Sequence, residues 1–255
     1  MVRHSRKASE LWKTLPWKKF RVNLFRLQKR VYKAAQRGDT HTARSLQKLI
    51  LKSQGARLLA IRQVTQLNAG KKTAGIDGKA SLTFAKRLAL ADTLSQHCNH
   101  WKHQGLREIP IPKKDGTKRI LRVPTLADRA WQCLAKYALE ATFHGRSYGF
   151  RPGRCAQDAQ RVLFLHLNQG CNGINKRVIE LDIEKCFDRI SHQSIMDNLI
   201  APTGIKLGIF RCLKAVTQVG FPDQGTPQGG VVSPLLANIA LNGIEEIHPS
   251  VRYAD

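Results

Sequence analysis

The stretch Asp182-Ile-Glu-Lys-Cys-Phe-Asp188 decides the fold, together with the apolar run Arg177-Val-Ile-Glu-Leu that precedes it. The run is short and rich in β-branched residues, which is typical of a buried strand, and an acid follows it directly. Val251-Arg-Tyr-Ala-Asp255 repeats this arrangement near the end of the sequence. Two adjacent strands that each end in an aspartate would bring two carboxylates together. The pattern therefore predicts a sheet with an acidic edge.

Between these two stretches lies a tight polar loop, Gly225-Thr-Pro-Gln-Gly-Gly230. An apolar helix is predicted to follow over Val231–Ile247, beginning near Ser233-Pro234, because proline suits the first helical turn. Upstream, the segment Lys113-Lys-Asp-Gly-Thr separates two β-prone runs, and Asp-Gly in that position indicates a hairpin. Further helices are predicted over Leu82–His103, Leu126–Phe143 and Ala156–Asn168.

The first 76 residues are strongly basic. The whole chain of 255 residues carries a net charge of +25, and residues 1–76 supply 19 lysines and arginines against two acids, a net charge of +17. Within them an apolar face recurs at helical spacing, and basic residues cover the rest of the helix. The apolar face is Phe20, Leu24, Leu27, Val31 and Ala34. Gly38 is predicted to end this helix and Asp39 to cap the next.

This basic segment indicates contact with a nucleic acid, because an ordinary solvated helix face mixes charges of both signs. A solvated face and an amphipathic helix on a membrane surface are the alternatives, and the second is weaker because the apolar faces are needed for packing. The loop Gly145–Arg154, with three arginines and two aromatics, also suits a nucleic-acid strand, although a structural loop with ordinary surface charge is the alternative.

Other classes of protein are excluded. No apolar run approaches 18 residues, and no apolar segment follows the basic start, so neither a transmembrane helix nor a secretory signal is expected. The six cysteines form no Cys-x-x-Cys pair and are expected to be reduced thiols. His97, Cys98, His100 and His103 form a dense set of potential zinc ligands, but a solvated helix face is the preferred interpretation.

In their order, the motifs resemble those of the reverse transcriptases encoded by group II introns. The resemblance extends upstream through Ser147–Arg154, through Ile111–Lys113 to Pro124-Thr125, and through Lys71–Gly78. It implies an α+β fold, a polymerase right hand with fingers and an incomplete palm of antiparallel sheet and helices. It further implies a basic helical RNA-binding extension over 1–76, fingers over 77–175 and palm over 176–255, with the first boundary in the turn-rich junction 70–81.

The resemblance also implies the roles of individual residues. Asp182 and Asp255 would be catalytic carboxylates that bind two Mg²⁺ ions about 4 Å apart, helped by the backbone carbonyl of Ile183. Phe187 would exclude a ribose 2′-hydroxyl by its bulk, although a core phenylalanine is the alternative. The other residues implied to bind the nucleotide are Lys113, Arg119, Gln228 and Gly229. The candidate RNA-binding residues are Arg21, Arg26, Lys29, Arg30, Lys33, Arg37, Arg151 and Arg154.

The function implied is that of an RNA-directed DNA polymerase with a maturase role in intron RNA binding, splicing and mobility. Its partners would be group II intron RNA, an RNA template with a DNA primer, and dNTPs, with no membrane; a homodimer is left open. The expected location is the bacterial cytoplasm or an organelle. The sequence stops inside the family's Tyr-Ala-Asp-Asp motif, so a truncated and inactive chain is expected. A non-catalytic RNA-binding remnant, or a reverse transcriptase recruited to CRISPR or other bacterial defence, is the alternative.

Overall fold

The structure is a computed structural model that describes residues 2–113, 116–140, 147–171, 173–215, 223–247 and 250–254. Helices dominate the chain, and the named strands of the described residues form one antiparallel hairpin. The N-terminal helices are α1 Val2–Thr14, α2 Trp17–Gln36, α3 Thr40–Lys52 and α4 Gln54–Arg62. The later elements are α5 Phe84–His97, β1 Arg107–Pro112, β2 Lys118–Val123, α6 Leu126–Leu139, α7 Ala156–Leu167, α8 Cys186–Arg189, α9 His192–Asn198, α10 Thr203–Lys214, α11 Ser233–Ala240 and α12 Ile244–Ile247.

The predicted basic helix and its end are confirmed. Helix α2 buries the apolar face through Leu24, Val31 and Ala34. It ends in a Schellman arrangement, in which Gly38 has a φ of +72° and the N–H of Asp39 donates to the carbonyl of Ala34 at 3.0 Å. The Asp39 side chain then caps α3 by accepting from the Thr42 N–H at 2.9 Å. The turn between the two helices is therefore determined by local sequence.

Helix α4 does not end in a regular turn. It passes into a π-helical turn over Gln63–Leu67, followed by a 3₁₀ turn over Ala69–Lys72. Thr65 lies inside the π-helical turn and donates its hydroxyl to the Ile61 carbonyl at 2.7 Å. Such turns are rare in soluble proteins and are frequent at functional sites. Here the turn lies between the basic helices and the remainder of the chain.

The hairpin is confirmed, with Arg107 opposite Val123 and Pro112 opposite Lys118. The predicted helices over residues 82–103, 126–143 and 156–168 are found in shorter form as α5, α6 and α7. Residues 141–146 lie outside the described part of the chain, so the predicted C-terminal end of the second helix is not tested there. The predicted apolar helix Val231–Ile247 is interrupted, because α11 ends at Ala240 and Gly243 adopts a φ of +107° before α12.

The predicted buried strand over residues 177–183 is wrong for this structure. The segment has no regular secondary structure and belongs to no sheet, and Val178, Ile179 and Leu181 are 65%, 80% and 82% exposed. The physical reason is that a strand needs a neighbour to satisfy its backbone groups, and none of the described residues pairs with this segment. In the second predicted strand, Arg252 forms an isolated parallel bridge with Ser147 instead.

One hydrophobic core extends from Trp12 to Ile239 and thus crosses the predicted boundary at residue 76. At its centre Trp131 is fully buried and donates its indole N–H to the Cys98 carbonyl at 2.8 Å. Helix α4 packs on both α5 and α6. The three predicted domains stay a prediction, because a shared core does not define their limits. In the described part of the chain, no helix has the length and apolar character needed to cross a bilayer.

Candidate nucleotide site and basic surface

An open cavity of about 680 Å³ lies where the hairpin, the loop after Thr226 and the start of α8 meet. Four of the residues that sequence reasoning assigned to nucleotide binding line it: Arg119, Phe187, Gln228 and Gly229. These residues are far apart in the sequence, so the fold brings them together. The volume of the cavity lies within the range of about 300–1,000 Å³ that is usual for ligand sites. The remaining walls are Gln63, Asn68, Cys133, Lys136, Tyr137, Glu140, Phe150, Pro152, Pro227, Gly230, Val231, Ser233 and Pro234.

A hydrogen-bonded chain across this cavity fixes the arginine. The Nε–H of Arg119 donates to Oε1 of Gln228 at 2.6 Å, and the Nε2–H of Gln228 donates to Oδ1 of Asp188 at 2.9 Å. Because an ionised carboxylate only accepts, Asp188 orients the amide so that its oxygen faces the guanidinium. Asp188 is not among the residues predicted to bind metal or nucleotide, and its contact in this structure is one that orients Gln228.

The loop that carries Gln228 is held from several sides. The Thr226 N–H donates to the Phe187 carbonyl at 2.7 Å, and the Ser233 hydroxyl donates to the Pro227 carbonyl at 2.7 Å. Gly229 has a φ of +116°, and a Cβ there would lie 3.0 Å from the Arg122 carbonyl oxygen. Only glycine accepts this conformation without strain, so the loop lies close against β2.

Two phenylalanines form an aromatic corner of the cavity. The rings of Phe187 and Phe150 meet edge to face, with centroids 5.8 Å apart and an interplanar angle of 82°. Phe150 has a φ of +58° and is half exposed, and a bulky residue in that conformation is strained. Phe187 also packs against the hydrophobic core. The ring of Phe187 therefore packs on the core with one part and lines the cavity with another.

The cavity is lined by charged side chains of both signs. Lys136 Nζ lies 3.6 Å from Glu140 Oε1 on the α6 side. Burial raises the pKa of the Glu140 carboxyl, and the charge and hydrogen bond of Lys136 oppose that rise. Burial also lowers the pKa of the nearby Arg151, although a guanidinium stays protonated at any physiological pH. Two cationic side chains, Arg119 of β2 and Lys136 of α6, thus line the cavity together with the carboxyl of Glu140.

The predicted metal ligands are not brought together in the described residues. Asp182 is exposed in the irregular segment that precedes α8, Ile183 is 37% exposed beside it, and Asp255 lies outside the described residues. Within the described ranges, no three or more His, Cys, Asp or Glu side chains form a group suited to a metal ion. Lys113 is exposed at the start of the hairpin turn, where its N–H donates to the Thr117 carbonyl at 2.8 Å, and it does not line the cavity.

The proposed RNA-binding side chains form an exposed basic surface on α2. All six that lie on or just after this helix are exposed: Arg21, Arg26, Lys29, Arg30, Lys33 and Arg37. Arg154 is exposed as well, with its guanidinium 5.1 Å from the centroid of the Tyr148 ring. Arg151 differs, because it is only partly exposed and one of its bonds goes to the Ser147 carbonyl at 2.8 Å. It therefore also holds its own loop.

That loop is joined to residues 252–254 by a buried polar cluster that sequence reasoning did not find. Asn238 donates to the Gly149 carbonyl at 3.0 Å and accepts from Arg252 at 2.8 Å. The Tyr148 N–H donates to the Arg252 carbonyl at 2.9 Å. Gly149 packs so closely that a Cβ there would lie 2.1 Å from the Ala254 nitrogen. The loop at residues 147–154 and the segment 252–254 are thus joined by hydrogen bonds to Asn238 of α11.

Other cavity residues were also missed, namely Gln63, Asn68, Lys136, Tyr137 and Glu140. They belong to the π-helical turn region and to α6, and no local signal distinguishes them from ordinary helix residues. The preferred interpretation of the histidine and cysteine set as a solvated helix face is only partly right, because α5 ends at His97 and only His97 and His100 of the set are exposed. Cys98 is buried in the core, and His103 lies 3.3 Å from the buried carboxylate of Asp128.

Residues 12–94 match the N-terminal domain of reverse transcriptase. Residues 111–255 match reverse transcriptase (RNA-dependent DNA polymerase). The second match covers more than half of the sequence, so the chain belongs to the reverse transcriptase family, as its motifs predicted. The α+β fold expected for this family is confirmed.

The chain is also similar to curated proteins of known context. It is 39% identical to maturase-like protein 1 of Euglena gracilis over 241 residues, which are 93% of this chain and 52% of that protein. It is 31% identical to the group II intron-encoded protein LtrA of Lactococcus lactis subsp. cremoris over 191 residues, which are 70% of this chain and 31% of that protein. The chain thus spans about half the length of the Euglena relative. The predicted relationship to group II intron-encoded proteins is confirmed.

Proposed function

We propose that this chain is the N-terminal, fingers and palm part of a group II intron reverse transcriptase and maturase. It would bind the intron RNA through its basic helices and copy an RNA template into DNA from a primer and dNTPs. The observation that carries the proposal is the cavity in which Arg119, Phe187, Gln228 and Gly229 meet. The family match and the intron-encoded relatives support the same conclusion.

The cavity suits an incoming dNTP in three respects. The Arg119 guanidinium offers donors to phosphate oxygens, and its bond to Gln228 fixes its position before the nucleotide arrives. Gly229 lets the loop backbone approach the ligand closely. The ring of Phe187, which meets that of Phe150 edge to face, would exclude the 2′-hydroxyl of a ribonucleotide by collision.

Reverse transcriptases use divalent metal ions, and the donor chemistry of this chain fits Mg²⁺. The Asp182 carboxylate is exposed and thus open to a ligand, and the neighbouring Ile183 carbonyl is a second hard oxygen. With Asp255, these residues would hold the metal. Bound Mg²⁺ would activate the primer 3′-hydroxyl and stabilise the charge on the departing pyrophosphate.

The test is primer extension by the product of the complete reading frame that encodes these residues, on an RNA template with dNTPs and Mg²⁺. Asp182→Ala is expected to lower the rate by several orders of magnitude, since it removes a metal ligand. Asp92→Ala, at an exposed position on α5, is the matched control and should leave the rate unchanged. Near wild-type extension by Asp182→Ala would remove this residue from the site.

A second candidate is an RNA-binding splicing factor that does not polymerise. The Euglena relative is named a maturase-like protein, and the segment that carries Asp182 joins no sheet among the described residues. Intron splicing by the Asp182→Ala variant, with extension undetectable even in the wild type, would favour this candidate.

A further inference from the structure

A second cavity, of about 290 Å³, lies between α2 and the π-helical turn. It is distinct from the nucleotide cavity but shares two wall residues with it, Gln63 and Tyr137. Its volume is at the small end of the range for ligand sites, which begins at about 300 Å³. The space therefore suits one small group and not a whole peptide or helix.

The walls combine an apolar slot with hydrogen-bonding groups. Leu24 and Leu59 are buried at the base, and Leu67 is 59% exposed at the rim. Gln28 also lines the cavity, and its amide is fixed by donating to the Tyr137 carbonyl at 2.9 Å. Apolar and aromatic faces with amides at the edge are the chemistry that holds an unstacked nucleobase.

Two arginines supply charge at the same place, Arg21 from α2 and Arg62 from the last residue of α4. The Arg62 guanidinium is held 4.5 Å from the centroid of the Trp17 ring, so it is positioned without an acidic partner at that contact. None of the described residues that line this cavity is acidic. The ligand is therefore expected to be anionic.

The surroundings point to the same ligand. Phe25 lies one helical turn from Arg21, which lines the cavity, and is 67% exposed, so its ring is free to stack on a base. The π-helical turn supplies Gln63 and Leu67 to the cavity walls, and turns of this kind are frequent at functional sites. An isolated free anion would need no such aromatic and apolar surface.

We infer that this cavity holds one unpaired nucleotide of the bound RNA, with its base in the slot at Leu24, Leu59 and Tyr137 and its phosphates on Arg21 and Arg62. The inference rests on the proposed function, namely that the chain binds RNA. It predicts that the chain recognises an extruded base as well as backbone charge. Because Gln63 and Tyr137 also line the nucleotide cavity, the bound base would lie next to the site of polymerisation.

The experiment measures the affinity of the 255-residue chain for three RNA hairpins of equal length. One is fully paired, one carries a single bulged nucleotide, and one carries an abasic residue at the bulge. The bulged RNA is expected to bind about 5- to 150-fold more tightly than the other two, which is the range for stacking of one base on protein. Tyr137→Ala, which removes the ring against the base, should reduce that ratio towards one. Arg62→Gln should weaken binding of the bulged and abasic RNAs alike, and Arg44→Gln, which removes the same charge from α3, should leave the bulged-to-abasic ratio unchanged.

A second measurement does not depend on affinity. A photoreactive 4-thiouridine at the bulge should crosslink to the peptide that contains Tyr137 or to that of Leu59, as read by mass spectrometry. Equal affinity for the bulged and abasic hairpins, or a crosslink only to the exposed residues of α2, would overturn the inference while leaving RNA binding intact. Failure to bind any of the three hairpins would instead overturn the proposed RNA-binding function.

Discussion

The buried carboxylate of Asp128 allows a quantitative test of which contacts stabilise the fold. This carboxylate accepts four hydrogen bonds. Oδ1 accepts from Trp101 Nε1 at 2.8 Å and lies 3.3 Å from His103 Nδ1. Oδ2 accepts from the Thr125 hydroxyl at 2.7 Å and from the Gln104 N–H at 3.3 Å. One side chain thus joins the segment after α5 to the start of α6.

Replacing Asp128 by alanine leaves these donors without their acceptor. Hydrogen bonds to a charged group contribute about 1.5–3 kcal/mol each and are not additive, and each buried donor left without a partner costs about 1–3 kcal/mol. We therefore expect Asp128→Ala to lower the free energy of unfolding by about 3–5 kcal/mol. Urea denaturation followed by tryptophan fluorescence measures it, because Trp101 stacks on Trp131 beside this carboxylate. A loss below about 1 kcal/mol would refute the reasoning.

The same carboxylate gives a pH dependence of known sign. Burial acts to raise the pKa of Asp128, but the hydrogen bonds from His103, Thr125 and Trp101 outweigh it, so the pKa lies below its ordinary value. Its stabilisation is therefore fully present above the unfolded-state pKa of about 3.9 and is lost as the pH falls through the lower folded-state value. The stability difference between wild type and Asp128→Asn should vanish in that acidic range and not at neutral pH.

Three further predictions follow from the described contacts. Phe187→Ala should admit ribonucleotides more readily in a competition assay with the complete product while leaving dNTP use intact; unchanged discrimination would leave Phe187 a core residue only. Neutralising Arg26 and Arg30 together should make the log–log salt dependence of RNA affinity shallower by about 0.7–0.9 per lost phosphate contact, and an unchanged slope would show that α2 does not touch RNA. Gly208→Ala should destabilise the chain by about 1–3 kcal/mol in urea, because its Cβ would lie 2.4 Å from the buried ring of Trp131; a stabilised variant would contradict this overpacking.

Features that depend on local sequence could be predicted. The helix over residues 20–34, its glycine end and the cap at Asp39 each follow from a few neighbouring residues, as does the hairpin around residues 113–117. Whether residues 177–183 form a strand could not be predicted, because an apolar run does not show whether a partner strand pairs with it. Strand pairing depends on residues far away in the sequence, and none of the described residues pairs with this segment.

The candidate site shows the same division. The motifs indicated Arg119, Phe187 and Gln228, and the structure brings these three to one cavity. The proposed metal pair Asp182 and Asp255 stays a prediction. The part of the cavity wall that residues 63–68 and α6 form could not have been predicted from sequence patterns. These residues resemble their helical neighbours in type, and they line the cavity only because the fold brings other segments opposite them. The link between Asp188 and Gln228 likewise needs the folded loop.

The exposed apolar segment at Val178, Ile179 and Leu181 affects how the molecule behaves in concentrated solution. Such a stretch offers unpaired backbone to a second copy, and what keeps copies apart is mutual repulsion from a net charge of +25. Salt shortens the range of that repulsion to about 10 Å at 0.1 M. Raising the ionic strength should therefore promote association of copies through this segment. The colloidal stability of this chain then depends on ionic strength, and purification at low salt should keep it monodisperse longer than purification at high salt.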